Sequence, residues 1–181
     1  MEVKQVLFIQ GGGDDGYEVD KVLATSLNKN LGKKYQVDYP EIRSDETLPN
    51  FGWTKQIGEN IFRFNRNFIL VGHSFGGSMI LKYLSENSVS KIIEGIFLLA
   101  TPFWSGNEEW QKSLKLKENF ANKLPEVPIF LYHCQDDAEI PISHLRYYKQ
   151  KLTRATFREI KSGGHQFSNG LTLITRDIKS L

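Results

Sequence analysis

The sequence has little of several features that mark specialised proteins. It holds one cysteine, Cys134, in 181 residues, so no disulfide can form within the chain and the fold does not depend on an oxidising compartment. The formal net charge is +2 and the basic residues are scattered, which argues against a nucleic acid or an anionic membrane as a partner. No cluster of histidine, cysteine and carboxylate residues has metal-ligand spacing. We therefore expect a function that needs neither a metal nor another cofactor.

Long apolar segments are also missing. No run approaches the roughly 20 residues that span a bilayer, and the N-terminus lacks the apolar region and small-residue cleavage site of a signal peptide. We expect a soluble, cytoplasmic protein. A chain of this length with 40% hydrophobic residues suits one domain over residues 1–181.

What the chain does contain is an alternation of short apolar runs with segments of helical periodicity. The apolar runs are 6–9, 68–71, 95–100 and 127–132, and further short strands are predicted at 36–39 and 156–161. The helical segments are 18–31, 53–64, 79–84 and 171–178, and in the first of them Val19, Val22, Leu23 and Leu27 are predicted to face inward. This order predicts an α/β three-layer sandwich: a mostly parallel sheet of about six strands with helices on both faces. The active site of such a sheet lies at the carboxyl ends of its strands.

The clearest motif is Gly72-His73-Ser74-Phe75-Gly76-Gly77, between an apolar run and a helix. This is G-x-S-x-G in the strand–turn–helix setting that a nucleophilic serine requires. The turn lifts the hydroxyl of Ser74 above the sheet, and the flanking glycines leave room for the tightly folded backbone. The N-terminus of the following helix favours developing negative charge, so the N–H of Phe75 is predicted to be an oxyanion donor.

A base and an acid should follow the serine along the chain. His165 lies in a glycine-rich loop after the last predicted strand and is the candidate base. The candidate acids share one loop after the preceding strand, and spacing alone does not choose among Asp136, Asp137 and Glu139. The remaining histidines are expected to be structural or to line the pocket: His73, His133 and His144.

These residues together resemble the α/β-hydrolase superfamily over nearly the whole chain, and the short length resembles its small capless group that includes the retinoblastoma-binding serine hydrolases. The resemblance implies a serine hydrolase with a Ser-His-Asp triad. The superfamily acid precedes a proline by four residues in a D-x-x-V-P type motif, which here selects Asp137 ahead of Pro141. The superfamily often has His-Gly after its first strand, where this chain has Gln10-Gly11, and the resemblance makes Gly12 the second oxyanion donor, ahead of Gly13.

Two other functions remain open. The first is a binding module on a hydrolase scaffold without catalysis, since a fold does not fix a function. The second is a dinucleotide-binding oxidoreductase, because Gly11-Gly12-Gly13-Asp14-Asp15-Gly16 satisfies G-x-G-x-x-G and Asp38 ends the next strand. Against it, Asp14 and Asp15 would set two carboxylates beside a pyrophosphate.

The segment between the fourth and fifth strands gives the only sequence evidence on the substrate. A small helical insertion is predicted around residues 103–125, which favours an open, shallow site. The predicted pocket residues are Phe103, Trp104, Trp110, Ile140 and Phe167. The sequence thus predicts a carboxylesterase-like enzyme that cleaves a small carboxylic ester or related acyl substrate through an acyl-enzyme, and it gives no support for a protein partner.

Overall fold

The structure, a computed structural model, describes residues 3–89 and 92–181. Within those residues the strands are β1 (Lys4–Ile9), β2 (Tyr35–Asp38), β3 (Phe68–His73), β4 (Ile93–Leu99), β5 (Ile129–Cys134) and β6 (Thr156–Ile160). The α-helices are α1 (Gly16–Leu31), α2 (Trp53–Arg63), α3 (Ser74–Glu86), α4 (Ser143–Lys151) and α5 (Leu171–Lys179). Each predicted strand overlaps an observed one.

The strands form one sheet in the order β2-β1-β3-β4-β5-β6, and every neighbouring pair is parallel. In the centre, Leu7 of β1 is in register with Leu70 of β3, and Val71 of β3 with Phe97 of β4. All six residues of β3 are buried, as a central strand covered on both faces requires. The predicted fold class is confirmed, with a sheet that is wholly parallel.

Alternate residues of the strands supply two hydrophobic clusters, one on each face of the sheet. One cluster joins the sheet to α1 and α5, for example through Leu27 and Ile174. The other joins it to α2, α3 and α4, for example through Ile57, Ile80 and Leu145. The parallel sheet therefore presents the carboxyl ends of all its strands at one edge, between the two layers of helices.

Helix α1 faces the sheet with a different set of residues from the predicted one. Val19 and Val22 are 48% and 71% exposed. The buried side of the helix instead consists of Asp20, Leu23, Ala24, Leu27 and Leu31. The prediction followed the apolar side chains, whereas the helix is rotated so that a carboxylate, Asp20, takes the first inward position.

The segment between β4 and β5 contains two short 3₁₀ turns, Glu109–Gln111 and Phe120–Lys123, where a small helical insertion was predicted. Leu114 and Phe120 are buried and fasten the segment to α3 and the sheet. Among the described residues, no helix is both long enough and apolar enough to cross a membrane.

Candidate active site

Ser74 stands at the junction of β3 and α3, where the chain turns sharply. Its φ is 49°, a left-handed conformation that is strained for a residue with a side chain. Glycine is required on both sides of the turn. A Cβ on Gly72 would lie 2.8 Å from the Cα of Gly77, and one on Gly76 would lie 2.1 Å from the carbonyl oxygen of Gln10. Backbone segments approach each other closely at these glycines, as the sequence predicted.

The backbone of Gly12 packs directly against Phe75. A Cβ placed on Gly12 would lie 3.2 Å from the Cβ of Phe75. Within the described residues, neither the N–H of Gly12 nor that of Phe75 donates a hydrogen bond to the protein. Two amide donors are thus available side by side next to Ser74, at the N-terminus of α3.

The loop after β5 brings one carboxylate to the imidazole of His165. His165 Nδ1 lies 2.9 Å from Asp137 Oδ2, and both side chains are buried. The other oxygen, Oδ1, accepts the backbone N–H groups of Glu139 and Ile140, at 2.9 Å each. Because the carboxylate is held from both sides, the imidazole is fixed with its Nε2 directed away from Asp137.

The two rival acids of this loop have different partners. Asp136 is exposed and accepts the N–H groups of Gly163 and Gly164, so it braces the turn that leads into His165. Glu139 is also exposed, and its carboxylate lies 3.6 Å from His165 Nε2. Of the three candidates, Asp137 is the one that contacts the Nδ1 side of the ring.

Burial and hydrogen bonding oppose each other at this pair. Burial alone lowers the pKa of His165, but the hydrogen bond and the charge of Asp137, with the charge of Glu139, outweigh it and raise the pKa above its ordinary value. Burial likewise raises the pKa of Asp137, but hydrogen bonds from His165 and the backbone lower it below its ordinary value. Asp137 is therefore ionised at neutral pH and favours the imidazolium form of His165.

Ser74 and His165 are brought to the same edge of the sheet. His73, the neighbour of Ser74, has its ring centroid 4.6 Å from that of His165. Among the described residues no hydrogen bond joins Ser74 Oγ to His165 Nε2. Such bonds are commonly long before a substrate binds.

A second buried Asp–His pair lies beneath the first. His73 Nδ1 is 2.7 Å from Asp20 Oδ2, and His73 Nε2 is 2.9 Å from the carbonyl oxygen of His165. His73 was expected to be structural or to line the pocket, and no role was predicted for Asp20. The available signal was periodicity, since Asp20 shares the helical face of Leu23 and Leu27.

His133 supports the acid loop from below. It is fully buried, its Nε2 donates to the carbonyl oxygen of Ile140 at 2.7 Å, and its Nδ1 has no partner among the described residues. Burial lowers the pKa of His133, so this ring is neutral. His144 is near the start of α4, where its Nδ1 accepts the N–H of Phe103 at 2.8 Å.

Gln10, at the position where the superfamily often has histidine, anchors the glycine loop. The side chain is 3% exposed, and its Oε1 accepts the N–H of Ile42 at 3.0 Å. This bond ties the segment after β2 to the end of β1, beside Gly12.

A cavity of about 440 Å³ opens beside Gly12. Its aromatic lining is Phe51, Phe75, Trp104 and Trp110. The rest is mostly polar: Gln10, Asp14, Tyr17, Glu41, Arg43, Ser44 and Glu46. Two of the predicted pocket residues, Trp104 and Trp110, thus line it, and their rings meet edge to face.

The other three predicted pocket residues have different surroundings. Phe167 is fully buried and packs with the sheet and edge-on against His73, so it belongs to the core. Phe103 stacks on Tyr147 of α4. Ile140 serves the acid loop through its backbone N–H and carbonyl groups. The prediction chose apolar residues close to the motifs in sequence, and this criterion does not distinguish residues of the core from residues of a pocket.

A family model described as serine hydrolase matches residues 23–172. No curated protein matches the chain by sequence.

Solved structures with the same fold are numerous and distant in sequence. A meta-cleavage product hydrolase (CumD) from Pseudomonas fluorescens IP01 is 15% identical, with a TM-score of 0.74 over 99% of this chain and 92% of that one. Est1E from Butyrivibrio proteoclasticus is 14% identical, with a TM-score of 0.70 over 99% and 86%. The esterase domain of a Rhodothermus marinus protein is 14% identical, with a TM-score of 0.71 over 99% and 86%. At these identities the likeness shows the α/β-hydrolase fold alone, and the nearer resemblance to the retinoblastoma-binding group stays a prediction.

Proposed function

The chain belongs to the serine hydrolase family, and from this premise we propose that it cleaves a small carboxylic ester through an acyl-enzyme formed on Ser74. The observation that carries the proposal is the 2.9 Å contact between His165 Nδ1 and Asp137, on the loop edge beside Ser74. An imidazole held in this way exposes Nε2 as a base, and a serine in a strained turn with two free amide donors has the surroundings of a nucleophile.

In the first step Ser74 Oγ attacks the ester carbonyl carbon while His165 Nε2 takes the hydroxyl proton. The π electrons of the carbonyl move to its oxygen, which accepts hydrogen bonds from the N–H groups of Gly12 and Phe75. Each such donor contributes about 3–4 kcal/mol of barrier lowering in enzymes of this kind. Asp137 remains ionised and stabilises the imidazolium.

The tetrahedral intermediate then collapses. The carbonyl re-forms, the bond to the leaving alcohol oxygen breaks, and His165 gives that oxygen its proton. Water enters, loses a proton to His165 and attacks the acyl carbon. The bond to Ser74 Oγ breaks, the proton returns to that oxygen, and the carboxylic acid leaves.

The cavity beside Gly12 and Phe75 supports a substrate of modest size. A space of about 440 Å³ lies within the range of small-molecule sites. Its aromatic wall suits an apolar acyl group, and the opening has Trp110 at about half exposure. We therefore propose short to medium acyl chains, or a single ring, as the acyl part.

The glycine loop argues against the dinucleotide alternative. The N–H of Gly11 donates to Asp20 Oδ2 at 2.6 Å, so it is not free to bind a pyrophosphate. Asp14 lines the cavity with its carboxylate, and phosphate groups next to it would be repelled.

The test is covalent labelling with a fluorophosphonate, comparing the wild type with Ser74→Ala. The matched control is Ser85→Ala, which removes a hydroxyl of the same helix that bonds only to the carbonyl of Lys82. We expect labelling of the wild type and of Ser85→Ala, none of Ser74→Ala, and hydrolysis of p-nitrophenyl esters reduced about a millionfold in Ser74→Ala. A folded wild type that neither labels nor hydrolyses any ester would instead favour the binding module.

A further inference from the structure

The proposed mechanism uses one Asp–His pair and leaves another unused. Asp20 and His73 have side chains that are 2% and 1% exposed, and they belong to α1 and to the last position of β3. Burying two ionisable groups costs free energy unless each is paired and hydrogen-bonded. The contacts of this pair indicate what the burial achieves.

Both ring nitrogens of His73 face hydrogen-bond acceptors. Nδ1 lies 2.7 Å from the Asp20 carboxylate, and Nε2 lies 2.9 Å from the carbonyl oxygen of His165. A carbonyl oxygen has no proton to offer, so Nε2 must donate. A neutral imidazole has one N–H only, whereas donation from both nitrogens requires the imidazolium.

The partner of His73 is an ionised carboxylate. Besides His73, Asp20 accepts the N–H of Gly11 at 2.6 Å and the side-chain amide of Gln166 at 3.1 Å. Burial raises the pKa of Asp20, but the hydrogen bond and charge of His73 and the bond from Gly11 lower it below its ordinary value. Hydrogen bonds donated to a carboxyl group favour its ionised form, and Gly11 and Gln166 both donate to Asp20.

The hydrogen bonds of Asp20 and His73 connect three segments that carry proposed reacting groups: the glycine loop, the turn at Ser74 and the loop of His165. They do not reach the loop of Asp137. Gly11 immediately precedes the proposed oxyanion donor Gly12, and His73 immediately precedes Ser74. On the remaining segment, His73 holds the carbonyl of His165 itself and Asp20 holds the next residue, Gln166. The three segments are far apart in sequence, and the pair is where they are joined.

We propose that the Asp20 carboxylate and the His73 imidazolium form a buried positioning pair, which holds the glycine loop and the base loop in register with the nucleophile turn. The assignment of reacting groups rests on the proposed function, whereas the ion pair and its hold on the loops do not. The pair touches no substrate. It acts on Ser74, His165 and Gly12 through the backbone that carries them.

The charge state is testable in the wild type by NMR of the ring nitrogens of His73. We expect both to have imidazolium shifts, each with a bound proton, in the buffer of the esterase assay, because each nitrogen faces an acceptor. The titratable groups around the pair are His165, His133 and Tyr39, whose pKa values respond to the charge of Asp20 or His73. A neutral His73 ring under those conditions would overturn the proposal.

The positioning role is testable with Asp20→Asn, which keeps the size and removes the charge. We expect faster amide hydrogen exchange at Gly11, Gly163, Gly164 and Phe167, whose N–H groups are hydrogen-bonded, with little change in α2 or α4. We also expect kcat for a p-nitrophenyl ester to fall about a hundredfold with KM little changed, as misplacement of reacting groups produces. Asp15→Asn, an exposed carboxylate near the start of the same helix, is the matched control and should change neither.

Two further results separate the possible failures. If the wild type has no esterase activity, the proposed function fails, and hydrogen exchange in Asp20→Asn still decides whether the pair holds the loops. If exchange at both loops and kcat equal those of the wild type, the positioning role is wrong. Should Asp20→Asn fail to fold, the double variant Asp20→Asn/His73→Gln removes both charges together, and its base loop should then exchange faster than that of the wild type.

Discussion

The molecule contains the same chemical pair twice, an aspartate bound to Nδ1 of a histidine, with opposite consequences. Asp137 and His165 connect at 2.9 Å, and Asp20 and His73 connect at 2.7 Å, with the two imidazole rings 4.6 Å apart. The difference lies at Nε2. In His73 it is satisfied by a backbone carbonyl, whereas in His165 it faces the exposed carboxylate of Glu139 at 3.6 Å.

The role of a buried Asp–His pair therefore depends on the group that Nε2 of its histidine contacts. When that nitrogen is bound to a fixed carbonyl, as in His73, the ring is held in place and the pair is structural. When it faces an accessible edge, the same carboxylate prepares the ring to take up and release a proton. The two pairs should therefore differ in their effects on turnover, on stability and on the response to pH.

The largest expected separation is in turnover. Asp137→Asn should lower kcat by about ten-thousandfold, because the amide no longer fixes the productive tautomer or stabilises the imidazolium. Asp20→Asn should lower it by about a hundredfold only. Both are measured with one p-nitrophenyl ester at pH 8. Equal losses of kcat in the two variants would contradict the assignment of Asp137 to the catalytic base and of Asp20 to positioning.

Stability should follow the reverse order. Asp20 is the centre of three hydrogen-bonded contacts and the counterion of a buried cation, so Asp20→Asn should reduce the free energy of unfolding by about 3–5 kcal/mol. Asp137→Asn keeps the backbone acceptor at Oδ1 and should cost about 1–2 kcal/mol. Urea unfolding at pH 7 measures both. A larger loss in Asp137→Asn would contradict the structural assignment of the inner pair.

The pH dependence of that stability has a defined sign. The pKa of Asp20 is lowered in the folded state, so the stability that its charge provides is present above the ordinary aspartate value, near 3.9, and is lost as pH falls through the lowered value. The difference in Tm between the wild type and Asp20→Asn should therefore narrow as the pH is reduced from 7 towards 3. A difference that is constant over this range would indicate that charge is not the cause.

The two pairs also differ in how far the sequence predicts them. The outer pair was accessible because His165 follows Gly163-Gly164 in a loop after the last strand, and because the resemblance to the superfamily motif selects Asp137, four residues before Pro141. The inner pair joins residues 53 positions apart, and it requires knowing which side of α1 meets the sheet. Hydrophobicity placed Leu23 and Leu27 correctly but misplaced Val22, which is exposed, and it gave no signal for the buried Asp20.

The four inner strands β1, β3, β4 and β5 are mostly apolar runs, so their positions and the fold class follow from composition along the chain. Whether Phe167 lines a cavity or fills the core depends on the tertiary arrangement of its loop, and composition does not contain that information. The segment around residues 103–125 has apolar anchors such as Leu114, but it forms only short 3₁₀ turns between them.

Activity should respond to pH through the outer pair. His165 acts as a base only when neutral, and its pKa is raised, chiefly by Asp137 against the effect of burial. The profile of kcat/KM should therefore have an acid limb at a pH above the ordinary histidine value, near 6.5, with activity lost as the pH falls through it. Steady-state kinetics from pH 5 to 9 tests this, and an acid limb at or below the ordinary histidine value would contradict it.

The smallest effect should come from Glu139, whose exposed carboxylate is the nearest charge to Nε2 of His165. Side-chain exposure of 69% leaves this charge screened by solvent, so its removal in Glu139→Gln should change kcat at pH 8 by less than about twofold. Its charge contributes to the raised pKa of His165, so the acid limb of kcat/KM should move to lower pH in the variant. Glu18→Gln, an exposed carboxylate on α1, is the control and should leave the limb in place.

Salt should reduce the effect of Glu139. The difference in the pH of the acid limb between the wild type and Glu139→Gln should be smaller in 0.5 M salt than in dilute buffer, because salt screens an exposed charge and leaves the buried contact of Asp137 unaffected. If the acid limb lies at the same pH in both proteins, the pKa of His165 is set by the buried Asp137 at Nδ1 alone, and the charge facing Nε2 has no effect on it.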